Sequence, residues 1–188
     1  MGCRVTLSEI CDINASQYST KEAWPHIQYL DTGNVTRGVI SELQQLDPLI
    51  DKVPSRARRK VKPNSIVYSM VRPNQGHYAL LKNPPIDMLV STGFSVIDAD
   101  ESQVLPSYLY YALTTKGATE GFQALAEQSV STYPTLSSAD LLAFEVILPP
   151  LKYQQQVAAV LERIDEKMAV NAKLNGYLEE WGQGLLEK

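Results

Sequence analysis

The chain has 188 residues, enough for one domain with a real core plus an appended element. With 44% hydrophobic and 20% charged residues and a formal net charge of −4, its composition is that of a folded protein and excludes a disordered chain. It contains no run of about 18 uncharged apolar residues and no secretory signal, so we expect no membrane partner.

Short strands are predicted over most of the first 147 residues. Residues 26–35 look like a strand that runs into a turn at Gly33-Asn34. Residues 65–72 and 77–82 are predicted to form an antiparallel hairpin with Pro73–Gly76 at its tip. Residues 88–99 are predicted to form one further strand, with a bulge or close backbone approach at Gly93.

Helical spacing of apolar residues comes later in the chain and predicts short helices at 105–115, 118–128 and 135–144. Residues 144–150 read as a strand that Pro149 and Pro150 end. We therefore predict an α+β fold. A β-rich domain with short helices would occupy 1–149, and one long C-terminal helix would occupy 150–188.

Residues 151–187 contain no proline and keep a helical period throughout, which predicts a helix about 54 Å long. An ordinary amphipathic helix folded back on its own domain is one interpretation. We favour a helix that pairs with another long helix in a coiled coil or bundle, where a polar Asn171 or Asn175 would fix the register. The predicted contact residues are Val157, Leu161, Ile164, Met168, Asn171, Leu174, Leu178, Trp181 and Leu185.

Positive charge is concentrated in one segment although the chain is acidic overall. Residues 52–86 contain eight Lys or Arg and no Asp or Glu, and the stretch KVPSRARRKVK at 52–62 holds six of them. A local positive field can bind a polyanion because salt screens charges beyond about 10 Å. A solvated loop or a basic sorting tag is the alternative interpretation of this stretch, which we predict to be a loop with turn character.

Three polar segments are candidates for contact with DNA, because Arg binds phosphate or guanine and Asn and Gln amides pair with adenine. They are the basic stretch, the loop VRPNQGHY at 71–78 and the loop EQSVSTYPTLS at 127–137. The alternative is that they are unrelated solvated loops. The candidate residues are Ser55, Arg56, Arg58, Arg59, Lys60, Lys62, Arg72, Asn74, Gln75, Tyr78, Ser131 and Tyr133.

Signatures of catalysis are absent from the sequence. Residues 83–86 (NPPI) approach the Asn-Pro-Pro-aromatic motif of amino-methyltransferases, but Ile86 stands where the aromatic residue is needed. No glycine-rich loop, nucleophile elbow or P-loop occurs. Cys3, Cys11 and the two histidines lack the spacing of a metal site or a disulfide framework. We expect a cytoplasmic protein with reduced thiols, no cofactor and no enzyme activity of its own.

Several segments in this order resemble one repeat of the DNA-specificity subunit of type I restriction–modification systems. They are LSEICDI, YLDTGNV, PSRARRKVKPNSIVYSMVRPNQGHYALL, VSTGFSVI and SVSTYPTLSSADLLAFEVILPPLKYQQQVAAVLERIDEK. The resemblance covers about residues 7–186. It implies a target recognition domain that reads half of a split site in double-stranded DNA. The long helix would act as a spacer and dock methyltransferase subunits, with restriction subunits bound indirectly. By the same resemblance, Arg56, Arg58, Arg59, Arg72 and Asn74 contact DNA.

The chain departs from that family's pattern because it has one recognition domain and one long helix instead of two of each. It is either a natural half-subunit or a fragment, and we expect a two-fold homodimer through residues 151–187 that reads a palindromic split site. Two other functions stay open: a structural adaptor that binds the modification subunit without reading DNA, and a stand-alone methyltransferase or nuclease fragment.

Overall fold

A computed structural model describes residues 2–129 and 133–186 of the chain, which form a β-rich body with short helices and one long helix. The strands are β1 (Cys3–Thr6), β2 (Cys11–Ile13), β3 (Ile27–Leu30), β4 (Val35–Thr36), β5 (Val39–Ile40), β6 (Gln44–Leu46), β7 (Ala57–Lys60), β8 (Ser65–Ser69), β9 (Tyr78–Leu81), β10 (Met88–Ser91), β11 (Phe94–Ala99) and β12 (Glu145–Leu148). The α-helices are α1 (Leu7–Ile10), α2 (Pro106–Leu113), α3 (Lys116–Glu127), α4 (Ser138–Leu142) and α5 (Leu151–Leu186). Single 3-10 turns occupy Thr20–Glu22, Thr32–Asn34 and Pro73–Gln75.

Two four-stranded sheets form the centre, with strand orders β6-β3-β10-β7 and β2-β11-β8-β9. The pairing of β10 with β3 is parallel, and the other pairings in these two sheets are antiparallel. The predicted hairpin is confirmed, since β8 and β9 pair antiparallel with Tyr68 opposite Tyr78 and the Pro73–Gln75 turn between them. The predicted helices at 105–115, 118–128 and 135–144 are confirmed as α2, α3 and α4, and the strand at 144–150 as β12.

The prediction of one continuous strand over residues 88–99 is wrong. This segment forms β10 in the first sheet and β11 in the second, and the chain crosses between the sheets at Thr92-Gly93. A Cβ atom on Gly93 would lie 2.9 Å from both Arg56 Nη2 and Thr32 Cγ2, so a larger residue at this crossing would have to displace these two side chains. The apolar pattern continues across the crossing because both strands are buried, and it therefore hides the break.

The prediction of a loop throughout the basic stretch is also wrong in part. Residues Ala57–Lys60 form β7, which pairs antiparallel with β10. Ala57 is fully buried and the next three side chains are half-buried, so their aliphatic stems cover apolar surface. Charge at the side-chain ends conceals the strand in the sequence.

The core has three layers, because the second sheet is buried on both faces. Along β8, Ile66 and Tyr68 face the helices α2, α3 and α4, while Val67 faces the first sheet. Phe122 of α3 packs edge-on against Tyr68 at 5.5 Å and against Phe144 at 4.5 Å between ring centroids. A smaller cluster with Ile27 fills the far side of the first sheet. This packing fixes both sheets relative to the helices.

The predicted long helix is confirmed as α5, a 36-residue helix that starts directly after Pro150. Its first turns lie on the body through the buried residues Gln154 and Ala158. At 100° per residue, the apolar stripe begins beside the body-facing side, with Val157 about 60° from Gln154, and turns away from it until Trp181 lies about 180° from Gln154; the stripe is exposed. The exposed apolar side chains are Val157, Val160, Ile164, Met168, Val170, Leu174, Tyr177, Leu178 and Trp181. The interpretation of a helix that buries its apolar face on its own domain is therefore wrong.

Leu161 is half-buried, Asn171 is exposed, and the side chain of Leu185 lies outside the described part of the chain. Over residues 2–129 and 133–186, none of the helices has both the length and the apolar character needed to cross a membrane.

Replacement of Phe122 by Ala should lower the free energy of unfolding by about 3 to 5 kcal/mol, because it opens a cavity between α3 and the second sheet. Leu125→Ala on the same helix should change it by only about 0.5 kcal/mol, since Leu125 is exposed. Urea denaturation of both variants measures the difference, and similar losses would contradict the layered core.

Candidate nucleic-acid interface

Four chain segments meet at one end of the two sheets and are joined by backbone hydrogen bonds. Thr92 N donates to Arg56 O at 2.9 Å, and Met70 N donates to Gly93 O at 3.0 Å. Arg72 N donates to Pro134 O at 3.0 Å. We call the surface formed by residues 54–58, 70–75, 92–93 and 133–136 the arginine edge. It brings together residues that are far apart in the sequence.

Arg56 occupies the first turn of the arginine edge and is exposed. The turn is closed by a hydrogen bond of 2.9 Å from Ala57 N to Pro54 O. The guanidinium of Arg56 lies across Gly93, which leaves space for it because it has no side chain. Arg58 is half-buried and its Nε donates to Ser55 O at 3.2 Å. Neither arginine forms an ion pair with a described residue.

Arg72 occupies the second turn and has a left-handed backbone with φ of 48°. This conformation is costly for a residue with a side chain, and here the hydrogen bond to Pro134 and the following Pro73 hold it. The guanidinium stacks on Tyr133, with Cζ 4.9 Å from the ring centroid. Asn74 and Gln75 follow on the exposed side of the turn. Arg72 is thus held in place before any ligand binds.

The turn that carries Asn74 and Gln75 is supported from behind by α3. Asn74 N donates to Gln123 Oε1 at 3.3 Å, which leaves the Asn74 side chain for other contacts. Arg37, which is not among the predicted residues, lies beside this turn, and its N donates to Gly76 O at 2.7 Å. Arg37 and Asn74 line one shallow groove. Only the fold brings residue 37 here, so the sequence carried no signal for it.

Arg59 is a predicted DNA contact that the structure turns inward. Its Nη1 donates to Asn14 Oδ1 at 2.6 Å and also to the carbonyl oxygen of Phe94. Burial lowers the pKa of the Arg59 guanidinium, which remains charged at neutral pH. Arg59 therefore ties β7 to β11, behind the Gly93 crossing.

Lys60 and Lys62 are also bound to the protein's own acidic residues. Lys60 pairs with Glu22, and its Nζ lies 5.2 Å from the centroid of the Trp24 ring. The hydrogen bond from Lys60 is the main cause that lowers the pKa of Glu22. Lys62 lies 3.8 Å from Asp98. These contacts remove both lysines from the set of cations that we assign to a ligand.

Tyr78 was predicted to contact DNA, but its ring packs in the core. It stacks on Tyr68 at 5.5 Å and meets Tyr110 edge-on at 6.0 Å. Burial raises the pKa of the Tyr78 hydroxyl. Ser55 and Tyr133 are exposed on the arginine edge, and Ser131 lies outside the described residues.

Metal-ligating side chains are dispersed in the described part of the chain. No set of three or more His, Cys, Asp or Glu residues within it is placed to hold a metal ion. Burial raises the pKa of Cys11 to about 12, and its thiol donates to Leu7 O at 3.0 Å, so this thiol is a poor nucleophile.

Replacement of Arg59 by Ala should lower the free energy of unfolding by about 2 kcal/mol, because it leaves the partly buried carbonyl of Phe94 without its donor. The exposed Arg56→Ala should change it by about 0.5 kcal/mol or less. Thermal and urea unfolding compare the two variants. A stable Arg59→Ala variant would show that Arg59 is not needed to hold the sheets together.

Two curated relatives of this chain are specificity subunits of type I restriction enzymes. This chain is 27% identical over 174 residues to the specificity subunit of the type I restriction enzyme HindI of Haemophilus influenzae. The alignment covers 93% of this chain and 38% of that protein. It is 26% identical over 178 residues to the MjaIX specificity subunit of Methanocaldococcus jannaschii, with coverages of 93% and 39%.

Solved structures have the same fold. The HsdS subunit from Thermoanaerobacter tengcongensis superimposes with a TM-score of 0.76 and 25% identity, over 92% of this chain and 44% of that one. The type I restriction-modification S subunit from M. genitalium gives a TM-score of 0.61 and 20% identity. The chain spans less than half the length of each of these relatives. The family model described as the type I restriction modification DNA specificity domain matches residues 4–180, and the chain belongs to this family.

Proposed function

We propose that this chain reads one half of a bipartite DNA site and directs the methylation and restriction that partner subunits carry out, without catalysis of its own. In this proposal residues 1–149 are the reading domain and residues 150–188 are the spacer helix. Methyltransferase subunits dock on that helix, and restriction subunits join through them. Family membership and the specificity subunits among its relatives support this function.

One observation carries the proposal: the turns of Arg56 and Arg72 lie on the same edge. Both turns bind the Thr92-Gly93 crossing, one through Thr92 N and the other through Met70 N. A DNA groove is read by a few side chains that are held in fixed register. Two arginines positioned by one crossing meet that requirement, whereas two independent solvated loops would not.

The charge of the edge fits a duplex better than it fits an acidic protein patch. The cations that make no ion pair with described residues and lie on or next to the edge are Arg37, Lys52, Arg56, Arg58 and Arg72. Planar guanidinium groups bind phosphate oxygens or guanine, and the amides of Asn74 and Gln75 match adenine. Mixed guanidinium and amide groups on one edge are typical of surfaces that read base sequence.

The helix α5 is the second element of the proposal. Its apolar stripe is exposed, and Trp181 in the stripe is 76% exposed. We propose that the stripe pairs with a second copy of this chain, to give a two-fold dimer that reads a palindromic split site. Asn171 and Asn175 lie within the stripe and would fix the register of the two helices.

A structural adaptor that has lost DNA recognition is the competing function. It would keep the apolar stripe, but it would give no reason for the left-handed backbone and stacked guanidinium of Arg72. A methyltransferase or nuclease fragment would need a cofactor loop or a metal site. We therefore favour the reading subunit.

Replacement of Arg56, Arg58 and Arg72 together by Ala should weaken DNA binding by at least about 10-fold, because each contact contributes roughly 1 kcal/mol. For the unchanged protein with four phosphate contacts, log affinity should fall with log salt at a slope of about −3.6. The triple variant should keep a slope of about −0.9. Fluorescence anisotropy on a labelled duplex, with the chain assembled with its methyltransferase, measures both quantities.

Arg4→Ala is the matched control for that experiment, because Arg4 is an exposed arginine on β1 that pairs with Glu145. It should leave affinity and salt slope unchanged. Assembly with the methyltransferase should survive in every variant. DNA affinity that is equal in the triple variant and the unchanged chain would favour the adaptor.

Replacement of Ile164 by Asp should convert the dimer to a monomer, because it places a charge in the middle of the apolar stripe. Lys173→Asp is the control, since residue 173 lies away from the stripe on the helix. Sedimentation velocity at tens of micromolar without partners separates the two states. A monomeric unchanged chain would contradict the dimer and leave DNA reading to be judged by the first experiment.

A further inference from the structure

The long helix makes polar contacts with the body at two levels, and the buried Ala158 packs between them. At the lower level, Gln154 is fully buried and satisfies three backbone groups at once. Its Oε1 accepts from Leu105 N at 2.8 Å, and its Nε2 donates to Gln103 O at 3.1 Å and Pro149 O at 2.8 Å. A buried amide that makes these three hydrogen bonds fixes both the position of the first turn of α5 and its rotation about the helix axis.

At the upper level, two side chains of the body hold the helix about three turns further on. Tyr111 of α2 donates its hydroxyl to Asp165 Oδ2 at 2.7 Å, and Lys82 lies 3.0 Å from Glu162. Burial and the hydrogen bond to Asp165 raise the pKa of the Tyr111 hydroxyl, so it remains a donor at physiological pH. The ion pair with Lys82 is partly exposed and contributes less.

The upper attachment is connected to the arginine edge by aromatic packing. Tyr110, next to Tyr111 on α2, packs edge-on against Tyr78 at 6.0 Å. Tyr78 opens β9, the strand that leaves the turn after Arg72. The ring of Tyr78 stacks on Tyr68 in β8, which leads into that turn. A change in the position of α2 would therefore move both strands of this hairpin.

The two attachments form a lever. Gln154 and Asp165 are about 16 Å apart along the helix axis, and Gln154 is about 48 Å from the end of α5 at Leu186. A lateral shift of about 1 Å at Asp165 therefore moves the helix end by about 3 Å. That displacement is close to the axial rise of one base pair, about 3.4 Å.

We propose that Tyr111, through its bond to Asp165, is a positioning residue that fixes the angle of the long helix and so the number of base pairs between the half-sites. The part that concerns DNA rests on the proposed function. The part that concerns the helix angle is a property of this chain alone. In this proposal the long helix turns about Gln154, and the bond from Tyr111 to Asp165 fixes the direction in which the helix points.

Spin labels measure the angle directly. One label is placed at Ile86, which is 97% exposed on the body, and the other at Gln183 near the helix end. The pair reports the distance between the body and the helix end. Cys3 and Cys11 are replaced by Ser so that only these two sites carry labels. Dilution with unlabelled chain removes distances between copies. Tyr111→Phe keeps the ring and removes only the hydroxyl. It should broaden the distance distribution by about 3 Å relative to the parent.

Tyr108→Phe is the matched control, because Tyr108 lies on the same helix and its hydroxyl donates to Ile147 O at 2.8 Å instead of to α5. Its distribution should equal that of the parent. A Tyr111→Phe distribution as narrow as the parent's would overturn the proposal. Equal broadening by both variants would overturn it too, because it would show a general loosening of α2.

A second readout uses DNA with spacers of different length, once the site is known, and the chain assembled with its methyltransferase. Tyr111→Phe should reduce the preference for the best spacer over spacers one base pair longer or shorter by about 5-fold, with affinity for an isolated half-site unchanged. An unchanged preference would overturn the link to spacing. Absence of DNA binding by the parent would instead refute the proposed function, while the label distances would still decide the role of Tyr111.

Discussion

The crossing of the chain at Gly93 is the constraint on which the rest of the structure depends. It lets consecutive strands enter two different sheets, and it is narrow enough that a Cβ atom would collide with Arg56 and Thr32. Arg59 holds the crossing from behind through the carbonyl of Phe94. The turns of Arg56 and Arg72 bind its two residues from either side. The surface that we assign to DNA is therefore part of the junction between the sheets and not a pair of independent loops.

Near this junction the basic side chains are of two kinds: some bind other groups of the body, and the others lie on or beside the arginine edge. Three of the six cations in the basic stretch bind groups of the body, namely Arg59, Lys60 and Lys62. The remaining ones, with Arg72, lie on or beside the arginine edge. A cluster that looks uniform in the sequence thus divides into residues that bind the body and residues that do not. The long helix is divided in a similar way, since polar side chains on one side bind the body and its apolar side chains stay exposed.

Much of the fold was predictable because local patterns determine it. The β8–β9 hairpin, α2, α3 and the full length of α5 follow from alternation, helical spacing and proline positions. The split of residues 88–99 was not predictable, because burial on both faces gives both strands the same apolar pattern. The strand at Ala57–Lys60 was hidden by the charges at the ends of its side chains.

The sequence predicted which residue types meet at the arginine edge, but not their detailed contacts. The sequence indicated arginine-bearing turns, and the structure brings Arg56 and Arg72 to one edge. The inward role of Arg59 depends on Asn14 and Phe94, which are 45 and 35 residues away in the chain. Arg37 reaches the groove beside Asn74 only through tertiary contacts. Pairings at such separations leave no local signal.

Methylome sequencing of cells that carry this chain with its cognate methyltransferase tests the central claim most directly, when the unchanged chain is compared with Arg56→Ala and Arg72→Ala. If one edge reads the DNA, the unchanged chain gives a methylated bipartite motif, and both replacements reduce base specificity at neighbouring positions of the same half-site. If the site is palindromic, the same changes appear in mirrored positions of the other half-site. A motif that neither replacement alters would contradict it, as would a motif in which Arg56→Ala changes only one half-site and Arg72→Ala changes only the other.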